Sequence, residues 1–518
     1  MLFYGKESKL FWWKGTPEKI RAVHLMGFTY HEKSKMWYTQ SPKIARKLYA
    51  EATAETKKML DESLEAEKAN VQASYATESE SVYKTPKGLA YKPFQKAALD
   101  YILTRPNTIL ADEMGVGKTI TAIGVINNGQ NINRVLIVVP ASLKAMWAER
   151  LNTWLCKFYA IGEGKKALLY RNEEFLPEIL IISYSILDSN KKFLSSVLWD
   201  LLIMDEGHYA ANPKAKRTIS LGVIQAKKKL VMGGTLSEKN YELWWLLRFL
   251  CPASWNTFWF YTTHFCDSSF NREWRGRMKL KFDLNKNSEE LNALLRSTVM
   301  IRRTKAQVLP QLPPKIKEVI PIELKNKSVT LLAHQEKRLI DKGLYIEDIP
   351  ASDSIFKTLH DIGVLKIPII CEYVDYLLAS NKKILIFPHH IDVGKGIADY
   401  FNKKEANTCV MSSGDTPLKK REVNKKYFIE NPTCRVFVGT AGSTAEGTDG
   451  LQQVSNVIVV PEPVWSLKKN KQLEDRIHRI GQLAEHVEYH YIVVQDSLEA
   501  RVMYRVLEKE KNFNIVYK

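Results

Sequence analysis

The sequence predicts an α/β protein: two tandem lobes built on parallel sheets, with helical insertions, and a small N-terminal α+β accessory domain ahead of them. Three observations carry that expectation. Short apolar, β-branched runs alternate with helical stretches from about residue 88 onward. The alternation stops and later resumes, so two sheets fit better than one. The first 50 residues differ in composition from everything that follows.

Residues 1–50 hold ten Lys/Arg, three Glu and ten aromatic side chains, among them Trp12, Trp13 and Trp37. They form the expected accessory domain. Residues 51–80 reverse the sign, with eight acidic and three basic side chains. Their Ala, Glu, Lys and Leu content predicts a solvated helix, followed by a linker that ends near residue 87. The first lobe is expected over residues 88–310. Its strands are RVLIVVP (134–140), EILIISY (178–184) and DLLIMDE (200–206), near-continuous apolar runs of the kind buried on both faces of a parallel sheet.

Between about 236 and 375 the strand rhythm disappears and the chain reads as mostly helical. The aromatic stretch 240–265 spaces Trp244, Trp245 and Phe249 as the core of a helical insertion rather than as a base-stacking surface. LPQLPPK (309–315) is the expected hinge, and residues 311–375 the hinge with a helical protrusion. The second lobe, 376–518, restarts the rhythm with KILIFP (383–388), CRVFVGT (434–440) and NVIVVP (456–461), and closes on a helix. No repeat at solenoid spacing is visible.

Bulk properties bound the function. The 518 residues suit about three domains. A formal net charge of +19 favours a polyanionic partner, because neutralised phosphates release counterions. Six scattered cysteines without a C-x-x-C pair argue against a disulfide framework or zinc site and suit a reducing compartment. Neither a signal-peptide core nor an 18-residue apolar run occurs, so the expected protein is soluble and intracellular, cytoplasmic if bacterial or viral, and without a membrane partner.

The chemistry begins at ILADEMGVGKTITAI (109–123). A strict phosphate-loop pattern would have Gly where this chain has Asp112. The physics survives the change. Gly115 and Gly117 let backbone N–H groups turn toward an anion, and a helix N-terminus adds partial positive charge. Lys118 can reach the outer phosphates and Thr119 can offer its hydroxyl to Mg²⁺. Taken alone, this could be a glycine turn opening an ordinary helix. LLIMDEGHYA then sets Asp205 and Glu206 at the end of an apolar strand, Asp205 for Mg²⁺ and Glu206 for the attacking water. His208 reads as a relay rather than a metal ligand. The two pieces together point to ATP with Mg²⁺.

DEMGVGKT, DEGH and QLEDRIHRIGQ resemble motifs I, II and VI of the Swi/Snf-type DNA-dependent ATPases of helicase superfamily 2, over residues 91 to about 500. The resemblance implies two RecA-like lobes. It identifies YKPFQKAALDYI with the adenine-reading motif and Gln95 with the base contact. Asp112, Glu113, Met114, Gly115, Val116, Gly117, Lys118 and Thr119 would cradle the phosphates. Arg476 and Arg479, spaced from Gln472 as in motif VI, would neutralise charge on the γ-phosphate, their bland alternative being ion pairs with Glu474 and Asp475. MIRRTKAQVLPQLPPK is similar to the family signature at the lobe junction. GTAGSTAEGTDGLQ resembles motif V, with Gly447 and Asp449 linking a DNA track to the nucleotide. Two departures stand out: Leu236 follows Gly234-Thr235 where the family has Pro, and Gly207 precedes His208 where it has Ser, Ala or Cys.

Candidate DNA contacts are Ser142 and Lys144, His389 and His390, Ser413, and Thr440, each just after an expected strand. The segment KIRAVHLMGFTYHEKSKMWYTQSPKIARKLY is similar to the accessory domain of HepA-related annealing helicases, which recognises branched DNA in that family. The expected activity is therefore an ATP-driven, monomeric translocase on double-stranded DNA that remodels branched DNA. A protein-displacing remodeller, a strand-separating helicase and a nucleotide-gated scaffold are the competing readings.

Overall fold

The computed structural model describes residues 1–164, 177–234, 236–237, 239–252, 254–255, 258–272, 278–324, 353–380, 383–440, 450–464, 466–495 and 497–516. The chain divides into two compact units. One comprises Met1–Ala111, Ile120–Val139 and Trp154–Arg303; the other comprises Asp112–Thr119, Pro140–Thr153 and Thr304–Lys518.

The first unit opens with a four-stranded antiparallel sheet, β1 (Leu2–Gly5), β2 (Leu10–Trp13), β3 (Thr29–His31) and β4 (Met36–Thr39), in the order β1-β2-β4-β3. Helices α1 (Pro17–Leu25) and α2 (Pro42–Arg46) follow the two hairpins. Leu2, Phe11, Trp13, Val23, Phe28, Ala45 and Leu48 make a small core closed by Leu60 of α3 (Ala54–Tyr75). The expected solvated helix is thus solvated on one side only. Its C-terminal end is clamped: Arg296, 2% exposed, donates to the Ser74 carbonyl at 3.2 Å, and Asn70 Nδ2 donates to the Ser297 carbonyl at 3.1 Å.

Helix α4 (Pro93–Leu103) leads into a seven-stranded sheet. Its strands are β5 (Asn107–Leu110), β6 (Val135–Val139), β7 (Ile161–Glu163), β8 (Ile179–Ser183), β9 (Trp199–Met204) and β10 (Ala226–Met232), and later β13 (Met300–Ile301). The order is β13-β5-β10-β9-β6-β8-β7, every neighbouring pair parallel. All five residues of β6 and of β8 are buried, as strands covered on both faces require. Parallel pairing puts all C-terminal ends on one edge, where such sheets gather ligand-binding loops.

The expectation of a mostly helical stretch from 236 to 375 is corrected. Strands β11 (Cys266–Arg272) and β12 (Met278–Asn285) pair antiparallel, β13 (Met300–Ile301) joins the first sheet, and β14 (Lys315–Ile322) is an edge strand of the second. Helices are present as well: Trp244–Leu250, Phe258–Phe265, Ser288–Thr298, Asp353–Leu365 and Ile367–Ser380.

The second unit holds a six-stranded sheet of β14, β15 (Ile384–Ile386), β16 (Cys409–Ser412), β17 (Val436–Gly439), β18 (Val457–Val460) and β19 (Val487–Val494). Its order is β14-β19-β18-β15-β17-β16, again all parallel. The closing helix runs Leu498–Val516. Among the described residues no helix is long and apolar enough to cross a membrane.

Candidate nucleotide site and strand-end loops

In the first unit, β5 and β9 flank β10, so the chain leaves β5 at Ala111 and leaves β9 at Asp205 on the same sheet edge. Asp205 is 6% exposed, and its backbone N–H donates to the Val138 carbonyl at 2.9 Å, which pins it to the end of β6. Its Oδ1 accepts the Glu206 N–H at 2.9 Å and its carbonyl accepts the Tyr184 hydroxyl at 2.7 Å. Burial, then the Asp205 and Glu206 carboxylates, push the Tyr184 phenol well above its ordinary value, so it remains a donor. Glu206 has φ +51°, a left-handed conformation rare for a residue with a side chain. Strain held at one catalytic candidate marks a position that the surrounding structure over-determines. Glu206 Oε2 lies 3.2 Å from His208 Nδ1.

The two departures from the family pattern meet here. A Cβ on Gly207 would come within 2.4 Å of Val231 Cγ1 and 3.3 Å of Leu236 Cδ2. A Cβ on Gly233 would meet Leu236 Cδ2 at 2.6 Å. Leu236 is buried over two glycines, so the small residue at 207 and the large one at 236 belong to one packing arrangement. Gln95, 3% exposed, uses its Oε1 to accept the Lys92 N–H at 2.9 Å and so caps α4. Arg302 donates to the carbonyls of Ala111 at 2.6 Å and Gly234 at 3.2 Å, joining the exits of β5 and β10. Arg303 reaches the carbonyls of Phe94 and Ala76.

The second unit contains the phosphate loop. Gly115 (φ +79°) and Gly117 (φ +93°) occupy backbone space that disfavours other residues. Lys118 begins helix α5 (Lys118–Asn128), and its Nζ donates to the carbonyls of Asp112 at 2.9 Å and Glu113 at 3.1 Å. Asp112 and Val116 are buried beneath the loop, while Glu113, Met114 and Thr119 are half-buried. Here the structure adds a residue that sequence reasoning did not single out. The Lys305 N–H donates to Glu113 Oε2 at 2.7 Å, and its Nζ bonds Asp475 Oδ1 at 2.6 Å and the His478 carbonyl. A Cβ on Gly115 would lie 3.5 Å from Lys305 Nζ and 3.2 Å from Arg479 Cβ. The loop, Lys305 and Arg479 therefore form one neighbourhood.

Motif VI begins in the last turn of the helix Leu467–Glu474, which is capped by Ser466. Glu474 and Asp475 are drawn into a lysine network: Lys315 is 3.3 Å from Asp475 and 3.5 Å from Glu474, and Lys317 is 2.8 Å from Glu474. Burial opposes ionisation of Asp475, yet the Lys305 and Lys315 ammoniums hold its carboxyl well below the usual range. Burial, with the same two lysines, lowers the His478 imidazole to about 4, and its Nε2 sits 3.0 Å from the Pro313 carbonyl. Arg476 is 9% exposed, Arg479 more so.

The other strand-end candidates fall in the same unit. Ser142 and Lys144 follow β6 and are half-buried. The backbone N–H groups of His389 and His390, after β15, donate to Glu462 Oε2 at 2.8 and 3.0 Å, and His390 Nδ1 meets Glu462 Oε1 at 2.5 Å. Ser413 and Thr440, after β16 and β17, are buried and present little side-chain surface. Gly447 and Asp449 lie outside the described residues.

The first unit thus carries a buried aspartate and a strained glutamate at a strand exit, and the second a glycine loop at positive φ, the two features to which the motifs pointed. The SNF2-related domain profile matches residues 94–357, and the chain belongs to that family. It is 26% identical over 438 residues to the DNA annealing helicase and endonuclease ZRANB3 of Bos taurus, covering 81% of this chain and 40% of that one. To the SWI/SNF-related matrix-associated actin-dependent regulator of chromatin subfamily A-like protein 1 of Xenopus laevis it is 27% identical over 428 residues, 81% of this chain and 43% of that one. The chain thus spans about 40% of the length of these curated relatives. A solved structure, the Sulfolobus solfataricus SWI2/SNF2 ATPase core in complex with dsDNA, is similar at 20% identity with a TM-score of 0.40, covering 84% of this chain and 98% of that one.

Proposed function

We propose that this chain is a DNA-dependent ATPase that moves along double-stranded DNA and uses that motion to remodel branched DNA, by branch migration, fork reversal or strand annealing. The observation that carries the reading is the strained Glu206 beside buried Asp205, on the sheet edge from which β5 runs into the phosphate loop. The name of the relative ZRANB3, a DNA annealing helicase, supports the strand-annealing part of the reading.

The residues fit Mg²⁺ and ATP: a buried carboxylate at a strand end, a hydroxyl in the first turn of α5, and glycines at positive φ. Bound ATP supplies the scissile phosphoanhydride, and Mg²⁺ neutralises its phosphates. Thr119 and Asp205 would hold the metal. Gly115, Gly117 and the N–H groups opening α5 would bind phosphate oxygens, and Lys118 would turn from the loop carbonyls to the phosphates. Glu206 would take the proton of the attacking water, with His208 orienting it. Arg476 and Arg479 would stabilise charge developing on the transferred phosphoryl group, a contribution of about 10³–10⁵ in rate where such fingers have been removed. Lys305 would tie the loop, through Glu113 and Asp475, to those arginines. Ser142, Lys144, His389, His390, Ser413 and Thr440 remain the proposed contacts to the DNA track.

The test is a steady-state ATPase assay with linear duplex, single-stranded and forked DNA, paired with gel analysis of forks, Holliday junctions and partial duplexes with ATP. Duplex stimulation together with reversed or migrated products is expected. Stimulation by single strands alone, with separated strands as the only products, would make the chain a conventional helicase instead.

A further inference from the structure

Glu462 is a buried carboxylate that the nucleotide chemistry does not use. It follows β18, is 4% exposed, and both its oxygens have partners on the loop that leaves β15. Oε2 accepts the backbone N–H groups of His389 at 2.8 Å and His390 at 3.0 Å, and Oε1 meets His390 Nδ1 at 2.5 Å. His390 is the N-cap of the helix Ile391–Lys404, so the carboxylate also lies where that helix concentrates its partial positive charge. Two successive N–H groups, an imidazole and a helix N-terminus suit an anion. The chain fills the place with its own side chain.

Packing fixes that carboxylate. A Cβ on Gly363, in the helix Asp353–Leu365, would lie 2.4 Å from Glu462 Oε1 and 2.9 Å from its Cδ, so glycine leaves the room it needs. The carbonyl of neighbouring Pro461 accepts Lys366 Nζ, and that ammonium is paired with Glu499 at 2.8 Å, both side chains buried. Other charged and titratable groups face His390 from the elements around it. His360, from the helix Asp353–Leu365, stands edge-on with ring centroids 5.0 Å apart. Its Nε2 lies 3.3 Å from Asp392 Oδ2 and its Nδ1 3.4 Å from Asp361 Oδ1. The His389 ring is 4.7 Å away and feels Lys469 of the helix Leu467–Glu474. Glu499 lines one small cavity with His389, His390 and Glu462.

These contacts decide what the loop offers a ligand. Its two N–H groups are taken, so a phosphate must be met by side chains. A carboxylate only accepts, which puts a hydrogen on His390 Nδ1. Nε2 makes no hydrogen bond among the described residues, and the side chain is 22% exposed. With one ring hydrogen, Nε2 is a lone pair and would face a phosphate oxygen as acceptor against acceptor. With two, it is a charged donor. We propose that Glu462 is a positioning residue for DNA, holding the β15 exit loop and orienting His390 so that Nε2 grips a DNA phosphate only when the ring is protonated. The inference rests on the DNA-translocase reading above and adds to the His390 contact an orienting residue and a proton requirement.

Glu462→Gln is the informative change. One amide oxygen keeps the two backbone N–H groups, while the NH₂ group donates to Nδ1 and moves the neutral ring's hydrogen to Nε2. His390→Ala removes the imidazole and leaves the backbone bonds in place. Fluorescence anisotropy of the full chain on a linear duplex would be measured at about pH 6 and about pH 8, within the range where histidine changes charge, with melting temperatures alongside. Wild type is expected to bind about 10-fold more weakly at the higher pH, the size of one hydrogen bond to a charged group. Glu462→Gln is expected to lose most of that dependence and to bind more tightly than wild type at the higher pH, because a neutral donor replaces a lone pair. His390→Ala is expected to bind at both pH values as wild type does at the higher one. The ring ¹⁵N shifts of neutral His390 in wild type test the orientation without any variant, and should place the hydrogen on Nδ1. A hydrogen on Nε2, or equal pH dependence in wild type and both variants, would overturn the inference and leave the motor reading standing. A wild-type chain whose ATPase no duplex stimulates would overturn the motor reading itself.

Discussion

In the first sheet the chain leaves β9 into Asp205 and Glu206, with the strained residue displayed at the strand exit. In the second sheet, equally parallel, β15 runs into His389–His390, β16 into Ser413 and β17 into Thr440. The carboxylates of that unit's motif VI, Glu474 and Asp475, are buried against Lys305, Lys315 and Lys317. One scaffold thus supports two electrostatic solutions. In the first, a buried aspartate stands beside a strained glutamate at a strand exit. In the second, the buried carboxylates Glu474 and Asp475 are paired with lysines. The lesson is that strand-end chemistry, not sheet architecture, divides the labour.

The largest effect that would sharpen this contrast comes from Lys118→Ala. It is expected to lower kcat by about 10²–10³-fold, the size seen when one preorganised charge donor is removed, with the melting temperature little changed. Next comes Lys305→Met, which removes a buried cation from the second unit's network. It is expected to cost about 3–5 kcal/mol of stability, as breaking a buried pair does, and to lower kcat more than it raises KM. Adding Asp475→Asn should restore much of the stability without restoring kcat; recovery of both would reduce Lys305 to a packing role.

Gly207→Ala tests the first unit's packing. The new Cβ meets Val231 Cγ1 at 2.4 Å, so a loss of about 1–3 kcal/mol is expected in chemical denaturation. Val231→Ala in the same chain should return part of it.

The smallest effect separates the units by pH. Because the folded chain holds His478 near 4, the unfolded chain binds a proton between about pH 6.5 and 4 that the native one refuses. Stability should therefore fall as pH falls through that window, by about 1–2 kcal/mol after allowance for solvent screening, and His478→Gln should flatten the slope. Asp475, held low, loses its share only below about pH 4.

Strands β6, β8 and β9 were legible because each is an apolar run buried on both faces, whereas β5 is the half-polar Asn-Thr-Ile-Leu. β14 was not, since KIKEVIPI at a sheet edge leaves Ile316, Lys317, Glu318 and Val319 exposed and mixes charged residues and a proline with its apolar ones. The hairpin CDSSFNR and MKLKFDLN hid for the same reason, its strands mixing charged and polar residues with apolar ones. Gly115, Lys118, Asp205 and Glu206 could be named from local spacing. Lys305 could not, because its meaning comes from Asp475, 170 residues away.

The central claim is that Glu206 activates water for ATP hydrolysis that duplex DNA stimulates. The direct measurement is steady-state ATP turnover of Glu206→Gln and wild type, with and without linear duplex, alongside nucleotide binding by each. Turnover should fall by at least about 10²-fold, as removal of a general base does, while nucleotide and duplex binding persist. DNA-stimulated hydrolysis at the wild-type rate in Glu206→Gln would contradict the account.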